Sequence, residues 1–368
     1  MCLVMLPLSV GLGSTQGTGG RASAFVRTWR AESRRHVQSG GERSFFRGIR
    51  HIHATDSNLM ENIISSPKST TVKKIQSLLS KRKKRLEYGQ TVVEGPRMVF
   101  DLLQNPKTQS LVRQVLISTD AFAEHFQQRL LALPSSVSPH IQLATPDILK
   151  VCSDTVTSQG IVSLVDTPQL DLTASVGGKH PFYLVLDGVS DPGNVGTLLR
   201  SSLAVGVAGV LLLPGCCDVW NPKAVRSAMG ASFQLPILEV ATWDQAIEVM
   251  VNEMSVKQVY AATMMEEEED KIPCNNEFNE FHWSIDWLAR PSALVVGSEG
   301  NGLSAEVRKA LIEHRNVGHE QSYHIGAVHV PMEAGIESLN AAVCGSVIMF
   351  EYARQRNQDT VLKSDEVD

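Results

Sequence analysis

The sequence predicts an α/β protein with two domains, a smaller mixed α/β unit followed by a larger unit built on a parallel sheet. In residues 181–356, short apolar runs end at glycine or proline and helical patterns follow, which is typical of an open, mostly parallel sheet. Residues 61–165 show a shorter form of the same alternation. Residues 166–180 hold a glycine pair and small polar residues, so we expect a linker between the two domains there.

The first 60 residues differ in composition from the rest, and we expect them to form a leader. Residues 1–31 contain no Asp or Glu, and residues 21–50 hold eight arginines against two acids. This composition is typical of a transit peptide, which predicts import into the mitochondrion, with the chloroplast as the alternative. A disordered basic arm that binds nucleic acid remains the other interpretation.

Charge is distributed unevenly along the chain. The net charge of −5 argues by itself against a nucleic-acid partner. However, Lys68–Arg85 holds eight basic residues and no acid, whereas Glu266–Asp270 is five consecutive acids and residues 357–368 form an acidic tail. Because the acids fall in predicted loops and termini, we expect the folded body to be more basic than the total.

Cysteine spacing and hydropathy restrict the class of protein further. The six cysteines show no C-x-x-C pair, which argues against a zinc site or a disulfide framework and favours a reducing compartment. No apolar run reaches the roughly 18 residues that a membrane-spanning helix needs. We therefore expect neither a metal nor a membrane partner.

The first domain is predicted to begin with a helix that carries the basic run. Apolar residues between Val72 and Leu86 recur at helical spacing, and the opposite face is basic. This run, Lys81, Arg82, Lys83, Lys84 and Arg85, is either a solvated helix face or a set of phosphate contacts, and we favour phosphate contacts. The elements predicted after it are a strand at Thr91–Glu94, a helix that begins at Pro96, a strand at Val112–Ser118, a helix at Asp120–Leu131 and a strand at Gln159–Val165.

The second domain is predicted to contain five strands with helices between them. Met264–Trp283 departs from that rhythm because it contains the acidic run, a proline and two asparagines, so we expect a surface insertion there. The predicted strands are Phe182–Leu186, Val210–Leu213, Val259–Ala262, Leu294–Val296 and Ala327–Val330.

The turn after the first of these strands is the most informative segment of the chain. Residues 186–200 read as strand, glycine-rich turn and helix, an arrangement that places polar groups at the carboxyl end of a strand. Asn194 and Arg200 are its chemically active side chains. It lacks the Lys-Ser/Thr of a triphosphate-binding loop, and the glycines around Gly206 and Gly209 lack the dinucleotide spacing.

Three further segments accompany this turn. Residues 293–304 form a strand that ends in a loop with three glycines, and residues 329–340 run into an apolar helix at Ala341–Tyr352. Residues 221–231 lie between the first turn and these two segments. Each segment alone is compatible with a structural turn.

Together, and in this order, the four segments resemble the motifs of the SpoU/TrmH branch of the SPOUT RNA methyltransferases. The resemblance covers roughly Pro67–Arg354, and residues 83–97 are similar to the amino-terminal substrate-binding domain of these enzymes, which resembles ribosomal proteins that bind folded RNA. It implies an RNA-binding domain, a carboxyl-terminal domain with a trefoil knot, S-adenosyl-L-methionine as cofactor and a homodimer. Glu333 and Glu337 stand where the family usually has small or neutral residues, and Val330 replaces an isoleucine.

The resemblance also implies the roles of individual residues. Gly297, Val330 and Leu339 would bind the cofactor. Asn194, Arg200, Glu299, Ser338 and Asn340 would line the reacting end, with Arg200 reaching toward the partner subunit's cofactor. Because a guanidinium is normally protonated, we expect Arg200 to bind phosphate and stabilise a developing alkoxide rather than act as a base. Glu299 would either hold Arg200 or accept a hydrogen bond from substrate.

The predicted reaction is methylation of a ribose 2′-hydroxyl in RNA, most readily an organellar ribosomal RNA. A transfer RNA substrate is the first alternative. A non-catalytic RNA-binding factor for ribosome assembly is the second, because related domains can bind RNA without reacting. The presence of Asn194, Arg200 and Asn340 favours an enzyme.

Overall fold

Two sheets, one after the other along the chain, organise the protein. The computed structural model describes residues 63–122, 126–133, 140–172, 179–263, 279–317, 322–333 and 338–365. These residues belong to one compact unit. The predicted leader at residues 1–60, the acidic run at residues 266–270 and Glu337 lie outside the described residues.

The first sheet is mixed and is covered by short helices. Its order is β1-β4-β2-β3, in which β2 and β3 are parallel and the other pairs are antiparallel. Its elements are α1 (Thr70–Ser80), α2 (Arg82–Tyr88), β1 (Gln90–Glu94), α3 (Pro96–Gln104), β2 (Val112–Ser118), short helical segments at Thr119–Ala121 and Gln127–Leu131, β3 (His140–Ala144), α4 (Pro146–Val151) and β4 (Ile161–Asp166).

The single helix predicted around the basic run is divided into α1 and α2. Lys81 has extended backbone angles, φ −128° and ψ 112°, so the chain changes direction within the basic run. Gly89 then ends α2 in the left-handed conformation, φ 58°, which favours glycine. The apolar residues Val72, Ile75 and Leu78 pack against the sheet as expected, whereas Leu86, at the end of the predicted apolar face, is 64% exposed on α2.

The second sheet is parallel throughout. Its seven strands lie in the order β7-β6-β5-β10-β8-β11-β9. Its elements are β5 (Phe182–Asp187), α5 (Pro192–Val205), β6 (Gly209–Leu212), α6 (Pro222–Ala228), β7 (Ile237–Glu239), α7 (Trp243–Glu248), a π-helical turn at Val249–Glu253, β8 (Gln258–Ala262), β9 (Asn279–Phe281), β10 (Ser292–Gly297), α8 (Ala305–Val317), β11 (His324–His329) and α9 (Ala341–Asp365). The five predicted strands are all present.

Three differences from the sequence prediction have physical causes. The end of the expected surface insertion forms the edge strand β9, which pairs with β11, so this part belongs to the sheet. The three-residue strands β7 and β9 are too short to produce a periodic pattern. The last helix continues past Tyr352 to Asp365, because no glycine or proline in residues 353–365 ends it.

Charged and polar contacts join the first sheet's domain to the second. Arg85 and Asp218 form an ion pair with N–O distances of 2.7 and 2.8 Å, and their side chains are only 5% and 8% exposed. Arg85 also donates to the carbonyl of Leu78, and Thr91 donates to the carbonyl of Trp220. The guanidinium of Arg85 is therefore used inside the protein, which corrects its expected role as a phosphate contact.

Candidate active site

The predicted motifs meet because the strands that precede them are parallel. The loops after β5, β8, β10 and β11 all leave from the carboxyl ends of strands, and these ends lie along one edge of the sheet. In such sheets, ligands bind in the crevice outside this edge.

Helix α5 brings Asn194 to this edge. The Asp191 carboxylate caps the helix by accepting the backbone N–H of Asn194 at 2.9 Å, and Pro192 occupies the first turn, where a missing N–H has no consequence. Gly196 allows α5 to approach α6 closely, since a β-carbon there would lie 2.5 Å from the carbonyl oxygen of Ala224. The Ser227 hydroxyl on α6 donates to the carbonyl of Gly193 at 2.8 Å. The first turn of α5 is thus fixed from both sides.

Asn194, Glu299 and Asn340 form one hydrogen-bonded cluster. The Asn194 amide donates to Oε1 of Glu299 at 2.7 Å, and the Asn340 amide donates both to the same oxygen and, at 3.1 Å, to Oδ1 of Asn194. The backbone N–H of Ala341 donates to Oε1 of Glu299 as well, at 3.3 Å. Among the described residues, no group donates to Oε2 of Glu299. This oxygen is therefore able to accept a hydrogen bond from a ligand.

Asn340 has a second task as the cap of α9. Its Oδ1 accepts the backbone N–H groups of Ala342 and Val343 at 3.0 and 3.1 Å, which satisfies two donors of the first helical turn. The amide nitrogen of Asn340 is consequently held in the direction of Glu299. One side chain thus both starts the helix and orients the cluster.

A cavity of about 420 Å³ opens beside this cluster. Gly297, Val330 and Leu339 line it, as predicted for the cofactor-binding residues, and Glu299 and Ser338 supply polar atoms to its wall. Thr263 and His329 also line the cavity, although neither was predicted to be a site residue. Their positions at the ends of β8 and β11 are the signal that would have identified them.

Gly297 is required by the shape of the loop that it begins. A β-carbon at this position would lie 2.5 Å from the carbonyl oxygen of Gly302, closer than real contacts allow. The backbone groups of Ser298 and Gly302 donate to each other, each at 2.9 Å, and Gly302 has φ 63°. The loop is therefore a closed turn packed directly against the end of β10.

Asp187, at the end of the first strand of the second sheet, was not predicted to be a site residue. It ends β5, is 3% exposed, and accepts the backbone N–H of Ser304 at 2.6 Å. Burial raises the pKa of this carboxyl above its ordinary value, while the hydrogen bond from Ser304 acts in the opposite direction. Asp187 thus fixes the far end of the Gly297–Ser304 loop to the strand that carries the first motif. An acid at the end of an otherwise apolar strand is the signal that could have found it.

Arg200 is not bonded to the cluster. Its side chain is exposed on α5, and among the described residues none forms a hydrogen bond or an ion pair with it. The expectation that Glu299 holds Arg200 within one chain is therefore not met, because Glu299 is bonded to the two asparagines instead. Near α5 runs a groove lined by Asn194, Asn340 and the exposed apolar side chains Val343, Val347 and Phe350 of α9.

The side chains of the basic run point in different directions. Lys81 and Lys83 are exposed, whereas Arg82 pairs with Glu239 at 2.5 Å and Lys84 pairs with Glu87 at 2.8 Å. The hydrogen bond from Lys84 to Glu87 raises the pKa of Lys84, so its ammonium group stays charged. Four of the five predicted side chains therefore remain at the surface.

Neither a membrane-spanning helix nor a metal site occurs in the part of the chain that the structure describes. No helix there is both long and apolar enough to cross a membrane. No group of three or more His, Cys, Asp or Glu side chains within the described ranges could hold a metal ion.

The chain is similar to known RNA methyltransferases over both of its sheets. It is 27% identical over 322 residues to mitochondrial rRNA methyltransferase 3 of Mus musculus, which covers 78% of this chain and 73% of that protein. It is 29% identical over 314 residues to mitochondrial rRNA methyltransferase 3A of Danio rerio, covering 77% and 68%. It is 26% identical over 292 residues to the 23S rRNA (guanosine(2553)-2'-O)-methyltransferase RlmP of Bacillus subtilis, covering 78% and 97%.

Solved structures show the same fold. The SpoU methyltransferase AviRb from Streptomyces viridochromogenes, in complex with the cofactor AdoMet, has a TM-score of 0.60 at 24% identity and covers 78% of this chain and 98% of its own. A structure of an RNA 2'-O ribose methyltransferase has a TM-score of 0.59 at 25% identity and covers 80% and 98%.

Two family models divide the chain at the same place as the two sheets. Residues 69–163 match the MRM3-like substrate binding domain, and residues 181–350 match the SpoU rRNA Methylase family. The predicted resemblance and the predicted fold class are confirmed. Residues 181–350 form a SpoU rRNA methylase domain, residues 69–163 form an MRM3-like substrate binding domain, and the relatives named above are rRNA methyltransferases.

Proposed function

We propose that this protein methylates a ribose 2′-hydroxyl of a ribosomal RNA in the mitochondrion, with S-adenosyl-L-methionine as methyl donor. The observation that carries the proposal is the cluster of Asn194, Glu299 and Asn340, which joins the three motifs beside the cavity. A binding module without chemistry does not need such a cluster. The SpoU rRNA methylase domain supports the activity and the cofactor.

The residues of the cavity fit the cofactor in size and in chemistry. A volume of about 420 Å³ falls within the range of roughly 300–1,000 Å³ that small-molecule sites occupy. Val330 and Leu339 offer apolar surface for an adenine ring, Gly297 brings backbone close to the ligand, and Ser338 offers a hydroxyl. When bound, the cofactor would supply a methyl group on a sulfonium sulfur, which departs as a neutral thioether when the methyl group is transferred.

The protein must then position the ribose and remove its proton. A ribose hydroxyl is a very weak acid, so the oxygen needs an acceptor for its hydrogen bond and a positive group for its developing charge. We assign this acceptor, which takes the ribose proton as the methyl group is transferred, to Oε2 of Glu299, whose other oxygen is held by Asn194 and Asn340. The amides fix the carboxylate, so that little reorganisation accompanies the reaction.

Arg200 is assigned the positive group, acting on the site of a partner subunit. Its guanidinium is exposed and is not bonded to the cluster of its own chain, which leaves it available to the site of a second copy. The apolar side chains Val343, Val347 and Phe350, between 36% and 54% exposed, offer a helix face that a homodimer would cover. Their spacing of four and three residues places them on one side of α9.

The first domain is assigned to RNA binding through the surface lysines of the basic run. Lys81 and Lys83 are exposed, and Arg82 and Lys84 lie in exposed ion pairs that contribute little to stability and that phosphate can replace. Arg85 is left out of this assignment because it is buried against Asp218.

The names of relatives and the composition of residues 1–60 support the proposed localisation and RNA class. Relatives named as mitochondrial rRNA methyltransferases support the mitochondrion and ribosomal RNA over the chloroplast and transfer RNA. The arginine-rich, acid-poor residues 1–60 support a transit peptide. We further propose domain limits at 61–165 and 181–356, and a trefoil knot in the second domain.

The test is methyl transfer to mitochondrial ribosomal RNA, with the modified riboses mapped in cells that have or lack the protein. Arg200→Ala should lower the rate on the order of a hundredfold or more while cofactor binding, measured by calorimetry, persists. Gly297→Val should abolish cofactor binding, since its side chain collides with the loop backbone. Near-normal turnover of Arg200→Ala would refute the catalytic assignment. Lack of cofactor binding by the unmutated protein would favour a non-catalytic RNA-binding factor.

A further inference from the structure

An aromatic ring lies between two ammonium groups at the surface of α1 and α2. Lys74 Nζ is 4.9 Å from the centre of the Tyr88 ring, and Lys84 Nζ is 5.5 Å from the same centre. Tyr88 is 45% exposed. Lys84 and Tyr88 are four residues apart on α2 and are therefore neighbours on one face. Lys74 comes from α1, so the arrangement depends on the change of chain direction at Lys81.

The surroundings of the ring are basic. Between Thr70 and Tyr88 the sequence holds seven basic residues and one acid, Glu87. Glu87 pairs with Lys84 at 2.8 Å, but both side chains are exposed, at 48% and 36%, so the pair is weak and open to exchange with another anion. Arg85 is buried within the protein, which leaves the other cations to form the surface.

A ring bordered by two partly exposed lysines matches the chemistry of a single-stranded nucleic-acid site. Such sites combine positive charge along the phosphate backbone with aromatic rings on which bases stack. The contacts between the ammonium groups and an exposed ring are weak. An RNA base can therefore stack on the Tyr88 ring while the ammonium groups of Lys74 and Lys84 move to neighbouring phosphates.

We propose that Tyr88 stacks against an unpaired base of the RNA substrate, with Lys74 and Lys84 contacting the phosphates beside it. The inference rests on the proposed function and adds the kind of RNA element that the first domain holds. In a duplex, the bases stack on one another and their faces are closed to the protein. The element bound here is therefore a loop, a bulge or an end.

The test uses the full chain and two RNA probes, a hairpin with an unpaired loop and a fully paired duplex of the same length. Tyr88→Ala should weaken binding to the hairpin on the order of tenfold and leave duplex binding within about twofold. Tyr88→Phe should keep the affinity, because the ring is retained. Lys74→Ala should flatten the log–log salt dependence for the hairpin by about 0.7.

Lys150 provides the matched control. It lies in the same domain, is 70% exposed, and pairs with Asp147 three residues away, as Lys84 pairs with Glu87. Lys150→Ala should change neither affinity nor salt slope. Because Tyr88 is exposed at the end of α2, its substitution should leave the melting temperature unchanged.

Two results would overturn the inference: hairpin binding that is unaffected by Tyr88→Ala, or an equal loss on hairpin and duplex. Methyl transfer by the unmutated protein is scored separately. If that activity is absent, the proposed function fails, whereas the comparison of the two RNA probes still tests the role of Tyr88.

Discussion

The cluster of Asn194, Glu299 and Asn340 joins residues that are far apart in the sequence, whereas the basic run separates residues that are adjacent in it. Asn194 and Asn340 are 146 residues apart, and yet their amides bond to each other and to Glu299. Lys81 to Arg85 are consecutive, and yet their side chains separate into the interior and the surface.

Backbone geometry explains the contrast. Parallel strands end along one edge of a sheet, so residues just after different strands come together however far apart they are in the chain. Successive residues of a helix point about 100° apart, so five adjacent residues cannot all face one partner. Motifs that follow strands therefore predict a site more reliably than a run of charge on a helix predicts a surface.

The largest expected effect is the loss of stability on replacing Arg85, the buried residue of the basic run. Arg85→Ala leaves Asp218 as an unpaired buried charge and should lower the free energy of unfolding by about 3–5 kcal/mol. Lys83→Ala, two residues away in the same run and exposed, should change it by no more than about 0.5 kcal/mol. Chemical denaturation of both variants measures the difference. Similar values for the two would mean that the ion pair does not stabilise the fold.

The next effect separates the two tasks of Asn340. Serine also caps helices, so Asn340→Ser should keep α9 within a few tenths of a kcal/mol, but it lacks the amide that donates to Glu299 and Asn194. Loss of a hydrogen bond to a charged group corresponds to about 1.5–3 kcal/mol, so the methyl-transfer rate should fall about ten- to a hundredfold. Asn340→Ala should lose rate and cap together. An unchanged methyl-transfer rate in Asn340→Ser would mean that the hydrogen bonds donated by the Asn340 amide are not needed for catalysis.

A pH-dependent effect concerns Asp187, which the cluster's loop depends on. Because burial raises the pKa of Asp187, the folded protein binds this proton more tightly than the unfolded chain does. The free energy of unfolding should therefore fall as pH rises from about 4, the ordinary range of aspartate, through the folded pKa. Asp187→Asn keeps an oxygen for the Ser304 N–H and should remove this fall. Other carboxyls titrate alike in both proteins, so parallel curves from pH 4 to 7 would contradict the prediction.

The smallest effect concerns the exposed lysines. Replacing Lys81 and Lys83 by alanine should reduce the log–log salt slope of RNA binding by up to about 0.9 for each lysine that contacts phosphate. Cofactor affinity should stay the same, because neither side chain lines the cavity. Binding titrations at several salt concentrations measure both. An unchanged slope would mean that the two lysines form only a solvated face.

Much of the fold could be predicted from the sequence because its strands are buried on both sides. Phe182–Asp187 and Ser292–Gly297 are long apolar runs closed by glycine or acid, and each gives a clear signal. His140–Ala144 alternates polar and apolar residues but was not predicted as a strand, and neither were the two three-residue strands of the second sheet. The division of the first helix was missed because an extended Lys81 leaves the apolar spacing almost unaltered.

The candidate site was predictable as a set of loops but not as a set of contacts. Glycine and polar residues after strands indicated the loops, and the resemblance to the SpoU/TrmH motifs assigned Asn194, Glu299 and Asn340 to the site. That Glu299 bonds to both amides and leaves Arg200 exposed depends on where helices α5 and α9 begin. Such details arise from packing, for example the close approach at Gly196, and a single sequence carries no record of them.

The ion pair between Arg85 and Asp218 has a consequence for how such proteins can diverge or be recombined. Asp218 also accepts the backbone N–H of Trp220 at 2.9 Å, and the carbonyl of Trp220 receives the hydroxyl of Thr91, so the 214–221 loop is built to fit this particular first domain. A chimera that exchanged the first domain while keeping that loop would bury an unmatched acid. The first domain and the 214–221 loop are therefore expected to change together. An exchange of RNA specificity between relatives would require both to be transferred.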